Sequence, residues 1–296
     1  MTTPYQQQPA PTAPQTPPAG PAGGPAPGLG VYTSPIPVRP THLGHALTSE
    51  WTKIKSVRST MWTLGVLVLL VVGIGFATAA GLSGSDTDLE GETPLTFGFF
   101  GVLLGILCVI TLGVLVISSE YGTGMIRTTL TACPSRGRVL TAKAAVFFLV
   151  AFTTTLVCTG VVALMNDSML SENPGVVDPS GQDWFKATVG ISLYVATLGL
   201  VALSVGSLIR HSAGAITIMI GLVLLPLVLA IFMQADGLHD LQEALLNYSV
   251  PNQLGVLYSN SVSDSGPSGW EPLWIIMGVA AVTMTGAYAA LDKRDV

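Results

Sequence analysis

The sequence predicts an all-α integral membrane protein with six transmembrane helices. Only 10% of the 296 residues are charged and the mean hydropathy is +0.61, whereas a soluble domain carries about 25% charged residues. Apolar runs of about 20 residues, the length that a helix needs to cross a bilayer core, recur along the chain. The predicted spans are residues 60–82, 97–118, 142–165, 186–209, 213–233 and 272–291. They form a six-span membrane domain over 60–296.

Residues 1–40 differ in composition from the rest of the chain. They contain twelve of the twenty prolines and no acidic residue. Such a segment buries too little apolar surface to offset its backbone entropy, so we expect a disordered, Pro-rich cytoplasmic tail. The tail is either a docking site for a proline-binding module or a solvated tether.

Residues 41–59 predict an amphipathic helix ahead of the first span. Leu43, Leu47, Trp51 and Ile54 recur at three- and four-residue spacing, with cationic side chains on or beside the polar flank. Tryptophan also favours the membrane–water interface. We therefore expect an elbow helix along the cytoplasmic membrane surface, although simple anchoring of the chain is the alternative. Its candidate functional residues are Trp51, Lys53, Lys55 and Arg58.

The charges are sorted by side of the membrane. With the N-terminus inside, the inner segments hold eleven of the twelve Lys and Arg residues, and the outer segments hold only Lys186. Thirteen of the seventeen acidic residues fall on the outer side. The Lys/Arg bias sets orientation, so we expect both termini in the cytoplasm of a bacterial-type cell membrane.

The predicted spans themselves are apolar and rich in small residues. Gly73, Ala77 and Gly81 recur at helical spacing in the first span, as do Gly101 and Gly105 in the second, which predicts close helix packing. Charged residues fall at span ends or in loops, which disfavours ion-coupled secondary transport. We expect the three cysteines to be packing residues.

The longest outer loop, residues 234–271, contains a further helical pattern. One apolar face is made of Leu238, Leu241, Leu245 and Tyr248. Asp240 and Glu243 have the spacing of a capping box. A helix that dips into the outer leaflet and an ordinary capping helix both fit this pattern.

The loop between the second and third predicted spans, residues 119–141, is basic, and its sequence predicts a bend followed by two helices. Gly122 and Gly124 permit a sharp bend, and Pro134 ends the short helix that follows them. Ser135 is a suitable N-cap for a second helix that continues into the third span. One weakly apolar face of the short helix is formed by Met125, Ile126, Thr129, Leu130 and Cys133. The positive-inside rule explains the arginines of this loop but not its bend and its break.

This loop resembles the first cytoplasmic loop of the permease subunits of type-2 ABC exporters. The matching residues, which are the candidate coupling residues together with Arg127, are Glu120, Gly124, Leu130, Pro134, Arg136 and Lys143. Met125 departs from the threonine that is common after the glycine. With the elbow segment and the six-span layout, the resemblance covers residues 43–296.

The resemblance implies a membrane-spanning subunit that couples to a separate cytosolic ABC ATP-binding subunit. It also implies a dimer with a second permease copy or a homologue, in contact with the lipid bilayer and with no nucleic acid partner. The chain contains no Gly-x-x-x-x-Gly-Lys-Ser/Thr motif and no His-Glu-x-x-His motif. We therefore expect no catalytic, cofactor or metal site in this chain, with ATP bound by the partner.

Three functions compete at this point. The leading one is the membrane half of an ATP-driven exporter. A non-transporting scaffold or sensor would act through the Pro-rich tail. An intramembrane enzyme would need a nucleophile with a base, or a metal cluster, at one depth in the spans, and the sequence offers neither. The composition of the spans is compatible with amphipathic or apolar cargo without identifying it.

Overall fold

The computed structural model describes residues 42–83, 89–233, 236–259 and 265–293. Within these ranges the chain is helical and has no β-strand. The helices are α1 (Leu43–Ser56), α2 (Arg58–Ser83), α3 (Phe99–Gly122), α4 (Met125–Ala132), α5 (Arg136–Leu170), α6 (Gly181–Phe185), α7 (Ile191–Ile209), α8 (Ser212–Phe232), α9 (His239–Asn247), α10 (Val250–Ser259) and α11 (Glu271–Lys293). The predicted tail, residues 1–40, lies outside the described residues.

Six helical segments in the described part are long and apolar enough to cross a membrane, which confirms the six-helix all-α prediction. They are Arg58–Ser83, Pro94–Gly122, Arg136–Leu170, Gly181–Ile209, Ser212–Phe232 and Glu271–Lys293. A 3-10 turn opens the second segment, and a π-helical turn at Lys186–Gly190 joins α6 to α7. The third segment is longer than predicted, at 35 residues, because its helix begins directly after Pro134 and Ser135.

Helix α7 lies at the centre of the bundle. It packs against α3, α5 and α11. The span that contains it, Gly181–Ile209, is 78% buried over its most apolar part, against 22% for α2, α8 and α11. Among the described residues, Tyr194 of α7 is the largest fully buried side chain, and Phe147 of α5 is also fully buried. The peripheral helices therefore present most of their apolar surface outward.

Glycines bring the first three spans into close contact, but not all at the predicted positions. A Cβ at Gly101 would lie 2.6 Å from the Val71 carbonyl oxygen, so the predicted close approach is present there. Gly73 and Gly81 have nothing within 4 Å, whereas Gly75 faces a valine side chain of α5 at 2.6 Å. The prediction of Gly73 and Gly81 as packing positions is therefore wrong, because the small-residue pattern alone does not show which face of α2 meets its neighbours.

The helical region after α8 consists of two helices rather than one. Helix α9 ends at Asn247 and α10 begins at Val250. Helix α9 begins after Leu238 without a side-chain cap, and the Glu243 carboxylate instead accepts a hydrogen bond from the Ser265 hydroxyl. The predicted capping box is therefore wrong, because Asp240 lies inside the first turn of α9 and not at its N-cap.

Candidate functional site: a buried ring of charges beneath the loop helix

The loop between α3 and α5 bends and breaks where the sequence predicts. Gly124 adopts a left-handed conformation with φ 73°, which favours glycine because it has no Cβ. Helix α4 then runs to Ala132, and Pro134 lies in the break before α5. Ser135 occupies the N-cap position of α5, but its side chain makes no capping hydrogen bond. The helix boundary is therefore as predicted and its expected hydrogen bond is not present.

One face of α4 packs against the bundle and the other faces outward. Ile126 is buried, and Thr129 and Leu130 are half-buried. Met125 and Arg127 are exposed. The structure thus presents a short helix whose outward face is free to meet a partner and whose inner face is fixed to the membrane domain.

Beneath α4 lies a closed ring of four charged side chains, here called the ion ring: Glu50, Lys53, Glu120 and Lys143. Lys53 Nζ donates to Glu50 Oε1 and to Glu120 Oε1, both at 2.8 Å. Lys143 Nζ donates to Glu50 Oε2 at 2.7 Å and to Glu120 Oε1 at 2.8 Å. Each lysine thus bridges both carboxylates, and the formal charges sum to zero.

The ion ring connects elements that are distant in sequence. Glu50 and Lys53 come from α1, Glu120 from the end of α3 and Lys143 from the second turn of α5. Lys53 Nζ also lies 3.4 Å from Thr129 Oγ1, which adds α4 to the same point. Elbow helix, loop helix and two spans are therefore held together by one group of hydrogen bonds.

Burial makes the ion ring sensitive to the loss of any member. The side chains of Lys143 and Glu120 are 2% and 3% exposed, and that of Lys53 is 25% exposed. A charge removed from water is tolerated only when its partners remain, so deleting one member leaves an uncompensated charge. The ring is thus a strict structural constraint on where α1 can lie.

Lys53 is the member with the greatest access to solvent. Burial by itself would lower the pKa of its ammonium, but hydrogen bonds to Glu120 and Glu50 and their negative charges outweigh that effect and raise the pKa above its ordinary value. Lys53 is therefore held in its charged form. The carboxylate Oε2 of Glu120 is buried and has no hydrogen-bond partner among the described residues.

Apolar contacts and a small cavity surround the ion ring. Ile54 packs with Val146 and Val150, which fixes α1 along α5. A cavity of about 130 Å³ adjoins the ring and is lined partly by Glu120 and by Thr60 of α2. A void of this size and polarity can hold ordered water.

A second set of contacts ties the start of α5 to the end of α11. Arg136 Nη1 donates to the Leu291 carbonyl oxygen at 2.7 Å. This contact is favourable because the last carbonyls of a helix attract cations. The hydroxyls of Thr141 and Tyr288 lie 2.7 Å apart. Arg136 therefore orients helices within this chain.

The remaining elbow residues lie away from the ion ring. Lys55 Nζ stacks over the Trp51 ring at 5.2 Å from its centroid, and both residues are exposed. Arg58 begins α2 rather than continuing the elbow helix, because the backbone of Val57 is extended and ends α1 at Ser56. Arg58 therefore belongs to α2, and its predicted place in the elbow helix is wrong.

Glu50 and Thr129 belong to the site although the sequence patterns did not single them out as coupling residues. Glu50 lies on the apolar face of α1 with Leu47 and Ile54, and it is 4% exposed. An acidic residue on an otherwise apolar helix face was the available signal, since such a residue must find a buried partner. No group of three or more His, Cys, Asp or Glu side chains suited to a metal ion occurs in the described part of the chain.

The fold and the site define a multi-pass helical membrane protein with a loop helix fastened to its spans. A scan against protein-family models matches residues 46–232 to the ABC-2 family transporter protein. The match covers more than half of the chain and includes α4 and the ion ring, so the chain belongs to the ABC-2 transporter family. No curated protein matches the chain.

Family membership establishes the coarse function. The chain is the permease of an ABC transporter, located in a membrane. Membrane domains of this family are typically non-catalytic, and membership implies partnership with an ABC ATP-binding subunit.

Proposed function

We propose that this permease belongs to an exporter and couples to a cytosolic ATP-binding subunit through the outward face of α4. Its termini lie in the cytoplasm of a bacterial-type cell membrane, and ATP binds to the partner subunit. The distribution of Lys and Arg supports this orientation, and the resemblance of the loop to those of type-2 exporters supports the direction of transport.

The ion ring is the single observation that carries the coupling proposal. A partner that moves α4 displaces Thr129, which contacts Lys53 of the ring. Through the ring that displacement reaches the end of α3 and the start of α5. A soluble subunit can therefore act on two spans at once by holding one short helix.

We propose in addition that two permeases, identical or homologous, form the membrane part of the transporter. Helix α8 offers a surface for this contact. Among its large apolar side chains, Leu222, Leu225 and Phe232 are 59%, 53% and 80% exposed. A surface of this kind faces either lipid or a second permease, and the mass of the solubilised complex distinguishes two permeases from one.

The competing scaffold or sensor is not favoured. It would act through residues 1–40, which precede the part of the chain matched by the family model. Deletion of this tail separates the two functions, since a permease should keep most of its transport and a scaffold should lose its activity.

The coupling proposal is tested with two exposed positions at opposite ends of the bundle. Arg127→Ala removes a cation from the outward face of α4, and Asp178→Ala removes an exposed acid from the loop between α5 and α6. Arg127→Ala should reduce capture of the partner ATP-binding subunit, and Asp178→Ala should leave capture unchanged. The reverse result would place the ATP-binding subunit at the other end of the bundle.

The role of the ion ring is tested separately from assembly. Glu120→Gln keeps the shape of the side chain and removes its charge. We expect a lower unfolding midpoint, as for any member of the ring. In the folded protein that remains, we expect normal capture of the ATP-binding subunit but a lower ATPase activity per captured complex. Unchanged ATPase activity would show that the ring only stabilises the fold.

A further inference from the structure

Two adjoining cavities lie at the end of the bundle opposite the ion ring. The first has a volume of about 360 Å³ and is lined chiefly by aromatic and acidic side chains: Glu90, Glu92, Phe97, Phe99, Phe100 and Tyr258. The second, of about 240 Å³, is lined by apolar residues such as Leu227 and Leu246. Phe99 and Gly255 line both cavities, so the two cavities adjoin each other at the Phe99 side chain.

The chemistry of these cavities changes from one end to the other. Glu90 and Glu92 are exposed carboxylates at the first cavity. The Phe99 ring packs edge-to-face against Phe100 and Tyr258, with centroids 5.4 Å and 6.4 Å away. Carboxylates and aromatic faces both attract organic cations. The second cavity offers only apolar and neutral polar contacts, so it suits an uncharged hydrophobic group.

The segment that carries the two acids is fixed by backbone hydrogen bonds. The Gly91 N–H donates to the Gly175 carbonyl at 3.0 Å, and the Val177 N–H donates to the Glu92 carbonyl at 3.0 Å. Gly91 has φ 83°, a conformation that favours glycine. The two carboxylates thus lie on a loop whose backbone is hydrogen-bonded to the segment after α5.

We propose that the two cavities form a binding site for an amphipathic organic cation on the outer side of the membrane. The charged group lies at Glu90 and Glu92, and the apolar body extends past Phe99 toward Leu227 and Leu246. The first cavity, of about 360 Å³, falls in the range of small-molecule sites, and the adjoining cavity of about 240 Å³ enlarges it. This inference rests on the proposed export function and deepens it, since it names amphipathic cations as the substrate class that leaves through this end.

A pair of probes with the same shape and opposite charge tests the proposal. Purified permease in nanodiscs of phosphatidylcholine, without any ATP-binding subunit, is titrated with tetraphenylphosphonium and with tetraphenylborate by equilibrium dialysis. Empty nanodiscs give the partitioning into lipid. We expect saturable binding of the cation and none of the anion. Equal binding of both ions, or no saturable binding of the cation, would overturn the proposal.

Two double variants with equal loss of charge locate the site. Glu90→Gln with Glu92→Gln should weaken binding of tetraphenylphosphonium about tenfold, since each exposed charge contributes a modest attraction. Glu172→Gln with Asp178→Asn removes two exposed acids from the neighbouring loop and should leave the affinity unchanged. Wild-type affinity in the first double variant would refute the site.

The aromatic contribution is tested at Phe100, which is 54% exposed and lines the first cavity. Phe100→Leu keeps an apolar side chain but removes the ring, and we expect a several-fold loss of affinity for the cation. Unchanged affinity would refute the aromatic part of the site. Because binding is measured without the ATP-binding subunit, its failure is distinct from a failure of coupling, which appears in the capture and ATPase assays.

Discussion

Lys143 Nζ lies 2.8 Å from Glu120 Oε1, and both side chains are almost completely removed from solvent. Glu120 lies in the last turn of α3 and Lys143 in the second turn of α5, so the two residues flank the loop that contains α4. Their contact therefore closes the base of the loop. The remaining ring members add the elbow helix to the same base, so α4 projects from a rigid support.

Removing Lys143 should destabilise the permease strongly. Lys143→Met leaves Glu50 and Glu120 with only Lys53 between them, and loss of one member of a buried pair costs about 3–5 kcal/mol. We expect a large drop in the thermal unfolding midpoint of the solubilised protein.

Lys55→Met is the matched control for Lys143→Met. Lys55 is exposed and contacts the Trp51 ring, so its loss should change the midpoint little. Equal effects of the two substitutions would contradict the structural role of the ring. The exchange of Glu120→Lys with Lys143→Glu should recover part of the loss, because it restores an alternating arrangement of charges.

Much of the fold follows from patterns that the sequence carries locally. Apolar runs of sufficient length predicted the six spans, and Gly124 and Pro134 marked the ends of α4. The partners within the ion ring were not predictable in the same way. Whether Glu50 meets Lys143 depends on how α1 crosses α5, and such crossing is set by packing between segments 93 residues apart. For the same reason the sequence could not distinguish Gly73 from Gly75 as the packing position.

The raised pKa of Lys53 predicts an alkaline limit to the stability of the site. A lysine whose pKa is higher in the folded protein contributes stability that is complete below its unfolded value of 10.5. That contribution is lost as the pH rises through the folded pKa. The raised pKa also leaves less of the unprotonated amine, which is the form that is acylated. Acylation of amines at pH 9, followed by mass spectrometry, should therefore modify Lys53 more slowly than the exposed Lys55. Faster modification of Lys53 would contradict the ring.

Gly113 and Gly73 should respond oppositely to the same substitution. A Cβ at Gly113 would lie 2.5 Å from the Gly199 carbonyl oxygen, so Gly113→Ala forces α3 and α7 apart at a cost of about 1–3 kcal/mol. Gly73 has open space, so Gly73→Ala should be neutral or stabilise the helix by up to about 1 kcal/mol. Thermal unfolding of both variants checks the prediction, and a tolerated Gly113→Ala would show that α3 and α7 pack less closely.

The proposed orientation predicts which introduced cysteines are accessible from outside the cell. In a background without the native cysteines, an impermeant maleimide should label Glu172→Cys but not Ser135→Cys in intact cells. Both positions are exposed, so access to the compartment decides the result. Permeabilised cells should show labelling at both. Labelling of Ser135→Cys in intact cells would invert the topology.

The direction of α4 should affect coupling, and two nearby glycines test this effect without a change of charge. Gly124 and Gly122 are both exposed, and a Cβ added at either would have nothing within 4 Å, but only Gly124 has a positive φ. Gly124→Ala therefore costs about 1 kcal/mol in its native conformation and shifts the helix start, whereas Gly122→Ala lies within α3 and costs nothing comparable. We expect Gly124→Ala to lower the ATPase activity of the reconstituted complex while insertion and abundance stay normal, and Gly122→Ala to match the wild type.

Pro134→Ala, at the other end of α4, should act like Gly124→Ala because it permits the helix to extend into α5. Wild-type activity in both Gly124→Ala and Pro134→Ala would mean that the loop serves only to orient the chain in the membrane through its positive charge.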